Sequence, residues 1–421
     1  MNSGDTVKHA APRRGLVGGI GPVAAISIAQ LFGTALWFSA NSAAADLMRV
    51  WHASAADIGW LTNAVQLGFI LGTLTIALSG AADRFPASRI FVCSAIVGAV
   101  FNVAFAWLSG GLVSGAVFRF GVGVCLAGIY PMGMKLIVGW VPDRAGPALA
   151  QLVAMLTLGT ALPHAMRVVG TGLPWQWVIT ASSVLALIGA GVIATLGDGP
   201  HARTRRRTPC ADGRAATDPS PSVAQAFRIR AFRAATFGYF GHMWELYTFW
   251  TIVPLLVART SIASHVAHAG VSGVAFGVIG VGALGSLIGG SLSARIGSAK
   301  VAIGALTVSG LCALTFAATW RFLPPAAMVI LLIVWGASVV ADSPQFSALA
   351  ANACPPALVG SALAIQNSIG FAVTVVSIAA TTTLLERVGL DAMWLLVPGP
   401  LFGLASFALM SSAARHTRSA A

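Results

Sequence analysis

The sequence predicts an all-α membrane protein of twelve transmembrane helices arranged as two pseudo-symmetric six-helix bundles. Three observations carry this. Hydrophobic residues make up 57 % of the 421 residues and charged residues only 9 %, whereas a soluble domain carries about 25 % charge. The apolar residues gather into twelve runs, each near the roughly 20 residues a spanning helix needs. The second six runs repeat features of the first six at a near-constant offset.

The elements follow in order. Residues 1–17 are polar and basic, and the apolar run behind them continues without a small-residue cleavage site, so it reads as a retained span. The first bundle takes residues 18–196, with spans at 18–43, 58–80, 88–109, 112–138, 147–169 and 175–196. Residues 197–231 are basic and bear Pro, Gly and Ser, as a linker between bundles does. The second bundle takes 232–412, with spans at 232–257, 270–293, 299–319, 325–349, 358–384 and 392–412, and a tail at 413–421. None of these runs alternates as the short strands of a barrel do.

Charge sets the orientation. With both ends cytoplasmic, the inner segments hold 19 Lys and Arg and the outer segments 5. That bias points to a multi-pass protein of a bacterial inner membrane with both termini inside. It also accounts for the net charge of +13 without nucleic acid. The five cysteines, 93, 125, 210, 312 and 354, show neither disulfide nor metal spacing. No cofactor or metal is expected, and no HExxH or Ser/His pair suggests an enzyme.

Polar residues inside the spans are expensive in lipid, so they should face protein or water. Span 1 carries Gln30, Thr34, Trp37 and Asn41 on one helical stripe. Span 4 carries Arg119, Gly123 and Tyr130; span 7 Tyr239, His242 and Glu245; span 10 Trp335, Asp342 and Gln345. Asn63 and Gln66 in span 2, with Gln366 and Asn367 in span 11, add amides able to orient a polar solute. Spans 3, 6, 9 and 12 have almost no interior charge. Arg119 reads either as a ligand for an anion and a partner for a carboxylate, or as a buried cation bonding helix ends. Glu245, with His242 one turn before it, is placed to take up and release a proton. Asp342 precedes Pro344, where the helix should kink.

The halves align at three places. Arg84 matches Arg295 at an offset of 211, Pro131 matches Pro344 at 213, and GPALA from Gly146 matches GSALA from Gly360 at 214. Duplicated halves with a site between them are the plan of secondary transporters. Residues 79–89, SGAADRFPASR, keep Asp83, Arg84 and a shifted Arg89 of a Gly-x-Leu-Ala-Asp-Arg-x-Gly-Arg-Arg loop, departing at Ser79 and Pro86. The second copy keeps Gly290, Leu292, Arg295 and Gly297 but has Ala294 in place of Asp. Span 4 shows Arg-x-x-x-Gly at Arg119 and Gly123. In these features the whole chain resembles the major facilitator superfamily. The resemblance implies a central cavity lined by spans 1, 4, 7 and 10. It also implies an inner latch in which Asp83 meets the start of span 11.

The expected function is secondary transport of a small polar organic solute by alternating access, coupled to protons through Glu245 under the influence of Arg119. A monomer in the bilayer is expected. A multidrug efflux antiporter is the alternative, although span 1 has no acidic residue and Gly159 and Pro163 of span 5 stand apart. A nitrate carrier would place Arg inside spans 2 and 8, which have none. A channel or receptor is the alternative from another class.

Overall fold

The computed structural model describes residues 19–202, 224–266, 268–355 and 358–419, which are helices joined by short turns with no strand among them. The first bundle holds span 2 (Ala55–Ser79), span 3 (Ala87–Leu108), span 4 (Leu112–Trp140), span 5 (Ala145–Val169) and span 6 (Trp175–Leu196). The second holds span 7 (Arg230–Arg259), span 8 (His268–Ile296), span 9 (Ser298–Thr319), span 10 (Pro325–Ala341, then Ser343–Ala353), span 11 (Val359–Val388) and span 12 (Pro398–Ser419). Among the described residues nine helical stretches are long and apolar enough to cross a membrane; the last, Val359–Met410, contains spans 11 and 12 on either side of a 3-10 turn. Spans 1 and 7 complete the twelve. Span 7 is thirty residues long with Arg at both ends.

Span 1 is not the continuous helix expected over 18–43. Its first helix, Pro22–Thr34, stops, and helix resumes at Ser39–Ser42 and Ala44–Val50. Arg119 takes the Leu36 and Trp37 carbonyls at the break, so backbone acceptors leave the helical ladder for a side-chain donor. Span 10 breaks at Asp342, two residues before Pro344, as expected from a ring that cannot donate.

The duplication is exact in the packing. Spans 2 and 4 cross where Gly123 abuts the Val65 carbonyl and Gly72 abuts the Val124 carbonyl; a Cβ at either would collide with backbone. Spans 8 and 10 cross where Gly336 abuts the Val278 carbonyl and Gly285 the Ala337 carbonyl. Each of these four residue pairs differs from its counterpart by 213 positions. Small residues permit this approach in lipid, where packing rather than hydrophobicity holds helices together.

The bundles meet along two seams. Spans 5 and 8 run together over their whole length: a Cβ on Gly273 would lie 3.7 Å from Val168 at one end, and one on Gly290 would lie 3.0 Å from Ala150 at the other. Spans 2 and 11 touch only from about mid-span toward the end opposite the linker, here called the far end. Asn63 donates to the Val375 carbonyl at 3.1 Å, and the Ala55 N–H donates to Glu386 at 2.6 Å. Toward the linker end, Thr75, Ala77, Leu78, Gly360 and Ser361 are exposed.

The first residues of the expected linker, 197–231, pack on the first bundle. Asp198 accepts from the Ala87 N–H at 2.9 Å and the Ser88 hydroxyl at 2.5 Å, so it caps span 3. The His201 N–H donates to the Gly139 carbonyl at 3.0 Å, tying the segment to span 4. A short helix, Ala224–Arg228, precedes span 7. Residues 203–223, with most of the linker's basic charge, lie outside the described residues, as do 1–18.

Candidate functional site

A dry aromatic seal closes the far end between the bundles. Trp37 of span 1 stacks on Tyr247 of span 7 at 5.6 Å and on Phe371 of span 11 at 5.9 Å. Phe69 meets Phe371 at 4.5 Å, and Phe38 meets Trp250 edge-on at 5.8 Å. Trp37 is held by its indole N–H, which donates to Gln66 Oε1 at 3.2 Å. The Nε2 of Gln66 and the Oδ1 of Asn63 are buried and have no partner within the protein. Asn41 donates to Thr62 at 2.9 Å within its own bundle.

On the linker side of the seal lie Gln30, Tyr130, Tyr239 and Gln366. Gln30 is buried against Gly133 with both amide atoms unpartnered. Gln366 accepts from Thr236 at 3.0 Å and keeps a free Nε2. The chain has three tyrosines, and all three, Tyr130, Tyr239 and Tyr247, lie close enough to interact electrostatically. Unpartnered amide groups and phenols gathered beneath the seal are what a site reading a polar solute requires, because a solute lacking the matching groups would leave them unpaired. Thr34, in contrast, is spent on the Gln30 carbonyl at 2.8 Å, and Asn367 is only half-buried.

Arg119 does not face this zone. It is fully buried between spans 1, 3 and 4. Its guanidinium donates to the Leu36 carbonyl at 3.0 Å, to Ser39 at 3.1 Å, to Asn102 of span 3 at 3.0 Å and to the Trp37 carbonyl. Its cation also lies 5.6 Å from the centre of the Phe105 ring. The expected partnership with Glu245 is therefore corrected: Arg119 braces the break in span 1. Five planar donors suit a guanidinium to that task better than an ammonium.

Glu245 is likewise held within its own bundle. Its carboxylate accepts from the Trp335 indole N–H at 2.6 Å and from the Ser309 hydroxyl of span 9 at 3.0 Å. The expected assistance of Glu245 by His242 is also corrected. His242 Nδ1 lies 2.8 Å from Asp342 Oδ1, and both side chains are wholly buried. The tilted Tyr239 ring packs on the imidazole at 5.8 Å. Gln345 is buried one turn past Asp342, its N–H on the Asp342 carbonyl at 3.0 Å. Span 7 thus aims one titratable group at span 10 and the next at spans 9 and 10. Among the described residues no cluster of three or more His, Cys, Asp or Glu is placed to hold a metal ion.

Residues 26–234 match the family model described as Major Facilitator Superfamily. The fold agrees with solved members. A bacterial homolog of the human lysosomal transporter Spinster, in an inward-facing and unoccupied conformation, superposes with a TM-score of 0.66 at 14 % identity over 93 % of this chain and 95 % of that one. A variant of the nucleoside transporter NupG gives 0.70 at 12 % identity, over 93 % and 99 %. Over residues 26–234 the chain is a major facilitator superfamily sequence, and its fold as a whole is that of the solved transporters. No curated protein sequence matches it. As a superfamily member it is a multi-pass membrane transporter rather than an enzyme.

The superfamily's loop motif is not latched as the resemblance implied. Asp83 is 71 % exposed and meets Lys135 of span 4 at 3.6 Å, inside its own bundle. Lys135 also donates to the Ala82 carbonyl. Arg84, Arg89 and Arg295 stand exposed at the linker end. The start of span 11 has no side-chain cap.

Several partners were not anticipated from the sequence. Asn102 and Ser309 sit in spans 3 and 9, read as apolar. Each is a single small polar group, and nothing in its own span marks it. Tyr247 lies two residues past Glu245, about 160° round the helix from it, so the spacing that marks the span 7 stripe passes over it. Glu386 stands at a helix end beside Arg387, where a carboxylate reads as ordinary surface.

Proposed function

We propose that this transporter moves a small polar organic solute by alternating access, coupled to protons through the His242–Asp342 pair. One arrangement carries the reading. The bundles are joined along spans 5 and 8 throughout, but along spans 2 and 11 only at the sealed far end. A partner-poor acid–base pair is buried just beneath. Such a molecule has one closed end and one parted end, and rocking about the continuous seam exchanges them. The charge bias supports a cytoplasmic linker end.

His242 is faced by Asp342 from span 10 and by Tyr239 from its own helix, with Glu245 one turn further along. Beyond His242, the Asp342 carboxylate has only the Asp342 and Ser343 backbone N–H groups near it, so the pair responds to its surroundings: wetting favours separate charges, and drying favours a neutral pair. Glu245 has two fixed donors and keeps one setting. The pair is therefore the carrier, and Glu245 fixes the geometry around it.

Reconstituted protein tests this with a solute panel that begins with nucleosides, the solute named for one similar structure. Counterflow of labelled solute is expected, which a channel does not give. Asp342→Asn is expected to abolish accumulation driven by a pH gradient, to spare counterflow, and to flatten the pH profile between about 5 and 8, where imidazole chemistry lies. Accumulation that survives in Asp342→Asn but not in Glu245→Gln would return the proton to Glu245.

A further inference from the structure

We propose that Glu386 is the latch of the far end, trading with Asp83 at the linker end as the bundles rock. The inference rests on the alternating-access reading. Span 2 begins at Ser54 with a reciprocal cap: Ser54 Oγ accepts from the Asp57 N–H at 3.1 Å, and Asp57 accepts from the Ser54 N–H at 2.8 Å. The N–H of buried Ala55, the first helical residue, remains over. It is taken by Glu386, which comes from span 11 of the other bundle, at 2.6 Å. Arg259 of span 7 lies 3.5 Å from the same carboxylate oxygen and donates to the Leu385 carbonyl at 3.1 Å, so the carboxylate is aimed from its own side.

This contact is made only while the bundles touch. A carboxylate on a helix N-terminus is favoured both by the free N–H and by the helix dipole. Parting the far end would leave the Ala55 N–H to water and Glu386 to Arg259 alone. The geometry has a counterpart at the other end. Asp83, at the end of span 2, would stand to the start of span 11 as Glu386, at the end of span 11, stands to the start of span 2. In this structure the first contact is unmade: Asp83 points elsewhere, and span 11 starts without a side-chain cap. One pair of helices therefore carries two carboxylates, Glu386 set on the start of span 2 in this structure and Asp83 left to reach the start of span 11 when the linker end closes, so that the two contacts would close opposite ends.

Hydrogen exchange by mass spectrometry on the full-length protein in nanodiscs tests the latch. In Glu386→Ala, amides 55–63 and 382–388 should exchange about three- to thirtyfold faster, the range a partly exposed carboxylate at a helix start is worth. Amides 71–79 and 359–366 should slow in the same sample. Glu386→Gln, which keeps the shape, should show the same pattern more weakly. Adding Asp83→Asn to Glu386→Ala should remove the slowing at 359–366. Faster exchange confined to 55–58, with the linker end unchanged, overturns the latch and leaves Glu386 a local cap. Gly59→Trp separates that outcome from failure of the broader reading, because a side chain at Gly59 must displace Thr382 of the other bundle. If this wedge produces the reciprocal pattern and the Glu386 variants do not, the bundles alternate without the latch. If the wedge opens the far end without protecting the linker end, alternating access fails, and the latch with it.

Discussion

At the residue scale, the two buried charges that the sequence suggested as partners serve separate bundles. Arg119 holds together a helix break that would otherwise leave carbonyls unpaired in a dry interior. Replacing it with Ala is expected to destabilise the protein by on the order of 3 kcal/mol, since donors to a buried charged group are worth about 1.5–3 kcal/mol each and are not additive. The measurement is the thermal unfolding midpoint in detergent. Lys at 119 should recover only part of the loss, because one ammonium cannot reach four acceptors around a bend. An Arg119 that served the solute instead would leave the midpoint unchanged and abolish binding. The sequence revealed that these charges were buried and consequential, since charge inside a span demands a partner. It could not reveal the partners, because Asn102 and Ser309 carry no charge and sit on helices with no polar stripe. The pairing of His242 with Asp342 rather than Glu245 depended on where span 10 breaks, which is a matter of three-dimensional register.

At the element scale, the legible part was larger. Hydropathy marked all twelve spans, and the offsets between halves already implied the duplication. The crossing glycines show why that reading worked. A helix pair in lipid has few ways to approach closely, so the residues that permit it repeat along with the fold. The polar residues obey no such constraint: 213 positions before His242, Glu245 and Asp342 stand Ala29, Phe32 and Ile129. Scaffold and chemistry therefore leave different traces in one chain. Gly336→Val should prevent accumulation of folded protein, because its side chain would meet the Val278 carbonyl. Gly304→Val in span 9 has nothing within 4 Å and should be tolerated. Yield of monodisperse protein after size exclusion checks both. Equal yields would mean that spans 8 and 10 can separate at little expense.

At the scale of the whole molecule, the two seams divide the labour. In the proposed alternating access, the continuous seam of spans 5 and 8 is the spine, while the seam of spans 2 and 11 opens and shuts. A span of 25 residues is about 37 Å long, so a rotation of about 15° about its middle moves each end by about 5 Å. No helix need unwind for that. What changes is the far-end seal of Trp37, Phe38, Phe69, Tyr247, Trp250 and Phe371, which is dry when shut and meets water when parted. Exposing apolar rings raises the heat capacity, and the attraction that keeps them together fades as water cools. The balance between the two ends therefore has a temperature axis of its own. Chilling from 37 °C toward 5 °C should raise the open population at the far end, read as quenching of Trp37 and Trp250 fluorescence by acrylamide added on that side. A Phe371→Ser variant, with less ring surface to wet, should show a shallower slope. The transporter would then rest with its far end shut when warm and drift toward opening it in the cold, a thermometer built from the same six rings that exclude water from the site.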